Sequence, residues 1–109
     1  MDCIFCKIIK KEEPAEIVYE NENFIVIKDI KPKAPVHLLV IPKTHIFSLK
    51  DIKEKDKELM GELILTTQKV ASQKKLKGYK LLINVGREGG QIIDHLHLHL
   101  LAKDINNKF

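Results

Sequence analysis

Arginine is almost missing from this chain: Arg87 stands alone among 19 basic residues, the rest being lysine. Arginine is the residue that makes bidentate contacts to phosphates and base edges, so specific nucleic-acid binding is not expected. Long apolar runs are also missing. Nothing approaches the roughly 18 to 20 residues that cross a bilayer, and Asp2 and Cys3 follow Met1 where a signal peptide would carry its basic start. The expectation is a cytoplasmic chain with no membrane partner. Cysteine is scarce too. The only two are Cys3 and Cys6, too close together to staple a fold, and in a cytosolic setting their spacing suggests half a metal site or a redox pair.

What is present suits one ordinary domain, expected over residues 1–109. Apolar residues make up 44% and charged residues 31%, enough apolar material for a core. The net charge of +4 draws anionic ligands in a general way. Much of the lysine alternates with acid from Lys50 to Glu58, which reads as a solvated helix face.

Asp2 is placed to cap a short helix over Cys3 to Lys11, with Ile4, Phe5, Ile8 and Ile9 on one stripe and Pro14 ending it. Glu16 to Glu20 and Phe24 to Asp29 flank Asn21-Glu22-Asn23 and read as a hairpin. Val36 to Ile41 is a third strand, closed by Pro42. Ser48 to Asp51 resembles a capping box ahead of a long helix. Its apolar face runs through Ile52, Leu59, Met60, Leu63, Ile64, Thr67, Val70 and Ala71, and Gly78 ends it. Tyr79 to Val85 is a fourth strand, Gly86 to Gly90 a glycine-rich turn, and His95 to Leu101 a fifth strand with strict alternation. The predicted class is α+β, a five-stranded antiparallel sheet with a short N-terminal helix and one long helix.

All five histidines fall in two places, His37 and His45 flanking the third strand, and His95, His97 and His99 in the last. Strand residues two apart share a face, which gives a row of imidazoles ~6.6 Å apart, with Leu96, Leu98 and Leu100 turned into the core. Such a row can bind a transition metal. Alternatively, one imidazole attacks phosphorus while another contacts the phosphate. The turn Gly86-Arg87-Glu88-Gly89-Gly90-Gln91 just upstream favours the second use for His97, because paired glycines let backbone N–H groups approach a phosphate.

The run from Gly89 to Leu101 resembles the histidine triad signature, His-x-His-x-His followed by apolar residues. Asp29 to His45 is similar to the other diagnostic segment of that superfamily, and Phe5-Cys6-Lys7-Ile8-Ile9 to its opening helix. Within the superfamily, the length and that helix resemble the Hint branch, nucleotide-binding proteins that cleave purine nucleoside phosphoramidates. The dinucleotide-cleaving Fhit branch is the nearest rival.

The resemblance implies a role for each matching residue. His97 would be the nucleophile that carries a nucleotidyl group, with its other ring nitrogen held by the carbonyl of His95. His99 and His37 would contact phosphate and leaving group. Gly90, Gln91 and Asn84 would add contacts near the phosphate, and Asp29 would bind the ribose. Ile4, Phe5, Ile8, Val18, Phe24, Ile27, Ile30 and Leu39 match the positions that build the purine slot, with plain core packing as their alternative. Cys3, Cys6, His45 and His95 match a zinc set in microbial members, a structural Cys₂His₂ site; the chemistry itself would need no metal. A homodimer through the long helix and an edge strand is also implied. Ile92 stands where many Hint proteins carry a serine or threonine, which leaves open a nucleotide-binding module with little turnover. A metal enzyme using the triad as ligands is the other rival.

Overall fold

A computed structural model describes residues 3–103; Asp2, expected to cap the first helix, lies outside them. Helix α1 spans Ile4–Ile9 and is capped by Cys3, whose thiol accepts the Cys6 N–H at 3.5 Å. The helix stops well before Pro14. Lys11 turns left-handed at φ 64°, and the Glu12 N–H returns to the Lys7 carbonyl at 2.8 Å. That closure satisfies the last carbonyls without glycine.

The strands are β1 (Ile17–Glu20), β2 (Phe24–Lys28), β3 (Val36–Pro42), β4 (Lys80–Leu82) and β5 (Leu98–Ala102), in the order β1-β2-β3-β5-β4. Every neighbouring pair is antiparallel. The β1–β2 hairpin is set by Asn21, whose side-chain oxygen accepts the N–H groups of Asn23 and Phe24, both at 2.9 Å. The α+β reading therefore holds, with differences at the element ends. Only Lys80–Leu82 of the expected fourth strand pairs, and β5 starts at Leu98, three residues later than the alternation suggested.

Helix α2 runs from Lys57 to Gln73. Ser48 caps a single 3-10 turn over Leu49–Asp51, a second turn follows at Glu54–Asp56, and only then does α2 begin. Most of the charged Lys50–Glu58 run thus sits in exposed turns ahead of the helix. The far end differs as well. Lys75 takes the left-handed position at φ 59°, with Leu76 N–H on the Ala71 carbonyl at 3.1 Å and the Leu76 side chain packed on the core. Gly78 is not needed for the stop, because the hydrophobic contact of Leu76 offsets the strain at Lys75.

Strand alternation divides the core between two faces of the sheet. Phe24, Val26, Leu38, Val40, Leu98 and Leu100 meet Leu63, Val70 and Ala71 of α2. On the opposite face Ile25, Ile27, Leu39 and Ile41 meet Cys3, Phe5 and Ile8. Burial of these side chains, worth about 1.5–3 kcal/mol each, is what holds both helices to the sheet. His37 and His99 project on the α1 side, since their alternate neighbours Leu38, Leu98 and Leu100 belong to the α2 side. Among the described residues no helix is long and apolar enough to cross a membrane.

Candidate active site and metal cluster

In the β3–β5 register Leu39 opposes His99 and His37 opposes Leu101, which makes His37 and His99 diagonal neighbours. Their Nε2 and Nδ1 atoms lie 2.9 Å apart. His37 Nδ1 accepts the Lys33 N–H at 3.0 Å, and its Nε2 also lies 3.4 Å from Asp29 Oδ2. Burial, first, holds both imidazoles below the ordinary histidine range, pushing His99 to about 4. The carboxylate of Asp29 opposes that shift in both, while the like charges of His97 and His37 add to it at His99.

His97 is buried, and its Nδ1–H donates to the His95 carbonyl at 2.7 Å. A carbonyl can only accept, so the proton sits on Nδ1 and Nε2 keeps its lone pair. Burial lowers the His97 pKa further than its bond to His95 and the charge of Asp29 raise it. The ring is therefore neutral near pH 7, the form a nucleophile needs. The Phe5 ring stands edge-on to His97, with centroids 5.1 Å apart, and to His95 at 5.9 Å.

His95 is fully buried and donates Nε2–H to the Pro42 carbonyl at 2.8 Å. Its Nδ1 lone pair then faces Cys3 Sγ at 3.4 Å and Cys6 Sγ at 3.7 Å, while His45 Nδ1 lies 3.2 Å from Cys6 Sγ. These four donor atoms all lie within 4.8 Å of one another. Two sulfurs and two imidazole nitrogens at that spacing fit a tetrahedral Zn²⁺ site. Burial, chiefly, pushes His95 down to about 4, which keeps it neutral for ligation. Burial and the neighbouring Cys3 sulfur push the Cys6 thiol up, a penalty that a cation shared by both sulfurs reverses. Among the described residues, His45 Nε2 is buried without a hydrogen-bond partner. A cavity of about 410 Å³, lined in part by Cys3, His45, Phe47 and Ile92, opens beside this cluster.

The glycine turn is built from inside. Gly86 and Gly90 take φ 71° and 88°, flanking a 3-10 turn over Arg87–Gly89. Gln91 is buried and spends its side chain on this scaffold. Its Oε1 accepts the Gly86 N–H at 2.9 Å, and its Nε2 donates to the carbonyls of Phe47 at 2.6 Å and Ile93 at 3.0 Å. Its main-chain N–H is likewise bound to the Gly86 carbonyl at 2.9 Å, and that of Gly90 to the Arg87 carbonyl at 3.0 Å. Asn84 donates to the Gly89 carbonyl at 2.8 Å. A Cβ on Gly90 would approach Asn84 Nδ2 to 3.2 Å.

The structure thus brings His37, His97 and His99 together with Asp29, and it separates His95 into the sulfur cluster. It also assigns the expected slot residues differently from one another. Phe5, Ile8, Ile27 and Leu39 are packed in the α1-side core. Val18, at the register shift of β1, and Phe24 pack instead with the α2-side core, the alternative use of those positions. Ile4 is 40% exposed, and Ile30, next to Asp29, is 90% exposed. Lys33, Pro42 and the Arg87–Asp94 pair were missed. Lys33 and Pro42 act through backbone atoms, which composition does not mark. The pair has bonds of 2.8 and 2.9 Å, and its signal was the lone arginine seven residues before an aspartate.

The family model described as the scavenger mRNA decapping enzyme C-terminal binding region matches residues 2–109. An uncharacterized HIT-like protein of Synechococcus elongatus is 48% identical over 102 residues, 93% of this chain and 90% of the relative. The chain belongs to the histidine triad (HIT) superfamily. A HIT family hydrolase from Legionella pneumophila superposes with a TM-score of 0.91 at 44% identity, covering 93% of this chain and 92% of that one. A zinc-bound histidine triad family protein from Mycobacterium smegmatis has a TM-score of 0.81 at 34% identity, covering 99% of this chain and 79% of that one. These superpositions match the sheet and both helices, the architecture read from the sequence.

Proposed function

We propose that this HIT protein is a nucleotidyl hydrolase of the Hint type, cleaving purine nucleoside 5′-phosphoramidates. The observation that carries the reading is the buried His97 ring, held by Nδ1–H to the His95 carbonyl with Nε2 left as a lone pair. Nε2 attacks the α-phosphorus, the P–N bond breaks, and the leaving nitrogen takes one proton from solvent to depart as the amine. Water then attacks the same phosphorus and returns one proton to solvent, the P–Nε2 bond breaks, and nucleoside monophosphate is released. The related Legionella protein is called a hydrolase, in line with this chemistry.

His99 and His37 stabilise charge on the phosphate. Asp29 receives the ribose hydroxyls, Ile30 covers the base, and Phe5, Ile8, Ile27 and Leu39 support the slot from the core. Gly90 approaches the phosphate as part of the turn, with Asn84 and Gln91 holding its shape. Cys3, Cys6, His45 and His95 hold Zn²⁺, which when bound supplies a structural tie between α1 and the triad segment. Exposed Ile64 and Leu65 on α2, and Leu81 and Leu82 on edge strand β4, supply apolar surface for a homodimer.

Ile92 is 84% exposed and offers no hydroxyl to a leaving amine, which favours a binding module as the second reading. Steady-state hydrolysis of adenosine 5′-phosphoramidate, with His97→Ala as the blank, separates the two. Turnover in the wild type alone supports the hydrolase; tight monophosphate binding with no turnover supports the module.

A further inference from the structure

Asp29, His37 and His99 form a second group whose ligand atoms lie within 4.8 Å of one another, a spacing that would also admit a metal. The proton positions decide otherwise. Lys33 is a main-chain donor, so His37 Nδ1 must be the unprotonated nitrogen. A neutral imidazole with a bare Nδ1 carries its proton on Nε2. That Nε2–H has two neighbours, His99 Nδ1 at 2.9 Å and Asp29 Oδ2 at 3.4 Å, and the shorter contact is to His99. His99 Nδ1 is then the acceptor, and the single proton of His99 lies on Nε2. The order is Lys33 N–H to His37, and His37 N–H to His99.

We infer that the main-chain N–H of Lys33 is a positioning group that fixes both imidazole tautomers, so that His99 serves as an N–H donor beside the lone pair of His97. The donor role of His99 rests on the phosphoryl-transfer reading above; the tautomer order does not. The two rings lie 5.0 Å apart, and their backbone partners give them opposite polarity. His97 receives its order from a carbonyl and presents a lone pair. His99 receives its order, through His37, from an amide and presents a proton. No proton is transferred in this arrangement; His99 Nε2–H hydrogen-bonds to phosphate oxygen as negative charge grows there.

The charged groups facing the pair are consistent with that order. The Asp29 carboxylate, itself held by the Lys31 N–H at 2.8 Å, can only accept, so it disfavours a bare Nε2 on His37. A metal bridging His37 Nε2 and His99 Nδ1 would have to displace the Nε2 proton to Nδ1, directly against the Lys33 N–H. The group is thereby a proton-ordered chain and not a second metal centre.

The test is ¹⁵N NMR on the zinc-loaded, substrate-free protein, reading ring-nitrogen protonation and the scalar couplings that cross N–H···N bonds. The expected result is a coupling from Lys33 N to His37 Nδ1, another from His37 Nε2 to His99 Nδ1, and protonated Nε2 on both rings. Lys33→Pro, which deletes the donor, is expected to lose the first coupling and let both rings mix tautomers. Its kcat for the phosphoramidate should fall about tenfold or more with KM little changed. Lys33→Ala, which keeps the donor, should retain both tautomers. A protonated His99 Nδ1 in the wild type, or unchanged tautomers in Lys33→Pro, overturns the inference. If Lys33→Pro does not fold, the wild-type couplings decide, and their absence overturns it. Ordered tautomers without turnover would sink the hydrolase reading alone.

Discussion

The Nδ1 of His97 lies 2.7 Å from the carbonyl oxygen of His95, two residues back along the same chain. One triad histidine thus orients the next through its backbone, while its own ring is turned to Pro42 and the two cysteines. The adjoining imidazoles of His95 and His97 carry different duties for that reason.

If Cys3, Cys6, His45 and His95 hold zinc, the purified protein should contain about one zinc per chain. Chelation or Cys6→Ser should cost about 2 kcal/mol or more, on the order of 10 °C in Tm for a chain this size. Turnover in chelator should persist at first and fall only as α1 loosens, because Phe5 on that helix touches His97. Elemental analysis and thermal melts followed in parallel with turnover check this.

Gln91 is predicted to matter for stability more than for phosphate contact. Gln91→Ala would leave the Gly86 N–H and the Phe47 and Ile93 carbonyls without their side-chain partner. The expected loss is about 3 kcal/mol in urea unfolding. Gly90→Ala should also destabilise, since φ 88° and the 3.2 Å approach to Asn84 both oppose a side chain.

Acid should erode the fold before it charges the site. Burial holds His99 down at about 4, whereas an unfolded histidine takes up its proton near 6.5. The stabilising preference for the neutral ring is complete above about pH 6.5 and is lost as pH falls toward 4, because only the unfolded chain binds the proton in that window. Urea midpoints measured from pH 7.5 to 4.5 should drop, and His99→Asn should flatten part of that slope. Turnover should be less sensitive to mild acid than free imidazole chemistry would be, since burial holds His37, His97 and His99 all below the ordinary histidine range.

Parts of this molecule were legible as sequence for specific reasons. Alternation placed Leu96, Leu98 and Leu100 inside, and it did so even though β5 begins only at Leu98. The Cys-x-x-Cys spacing and the scattered His45 and His95 converge because α1 packs on the same side of the sheet as His37 and His99. Less legible were features decided by tertiary contact. Lys75 takes a left-handed turn because Leu76 finds the core, which residue preference alone does not reveal. For Val18 and Phe24 the slot and the core stayed open as alternatives, because no short apolar run declares which face meets which helix; both pack in the α2-side core. The hydrogen bonds of Lys33 and Pro42 come from the backbone, so no side-chain pattern announces them.

The covalent step is the most exposed part of the account. Wild-type protein mixed with adenosine 5′-phosphoramidate, quenched within one turnover in alkaline denaturant and weighed intact, should show an added nucleotidyl group that peptide mapping locates on His97. His97→Ala should show none. An adduct on another residue, or turnover with no adduct and undiminished in His97→Ala, would contradict the assignment of His97 as nucleophile.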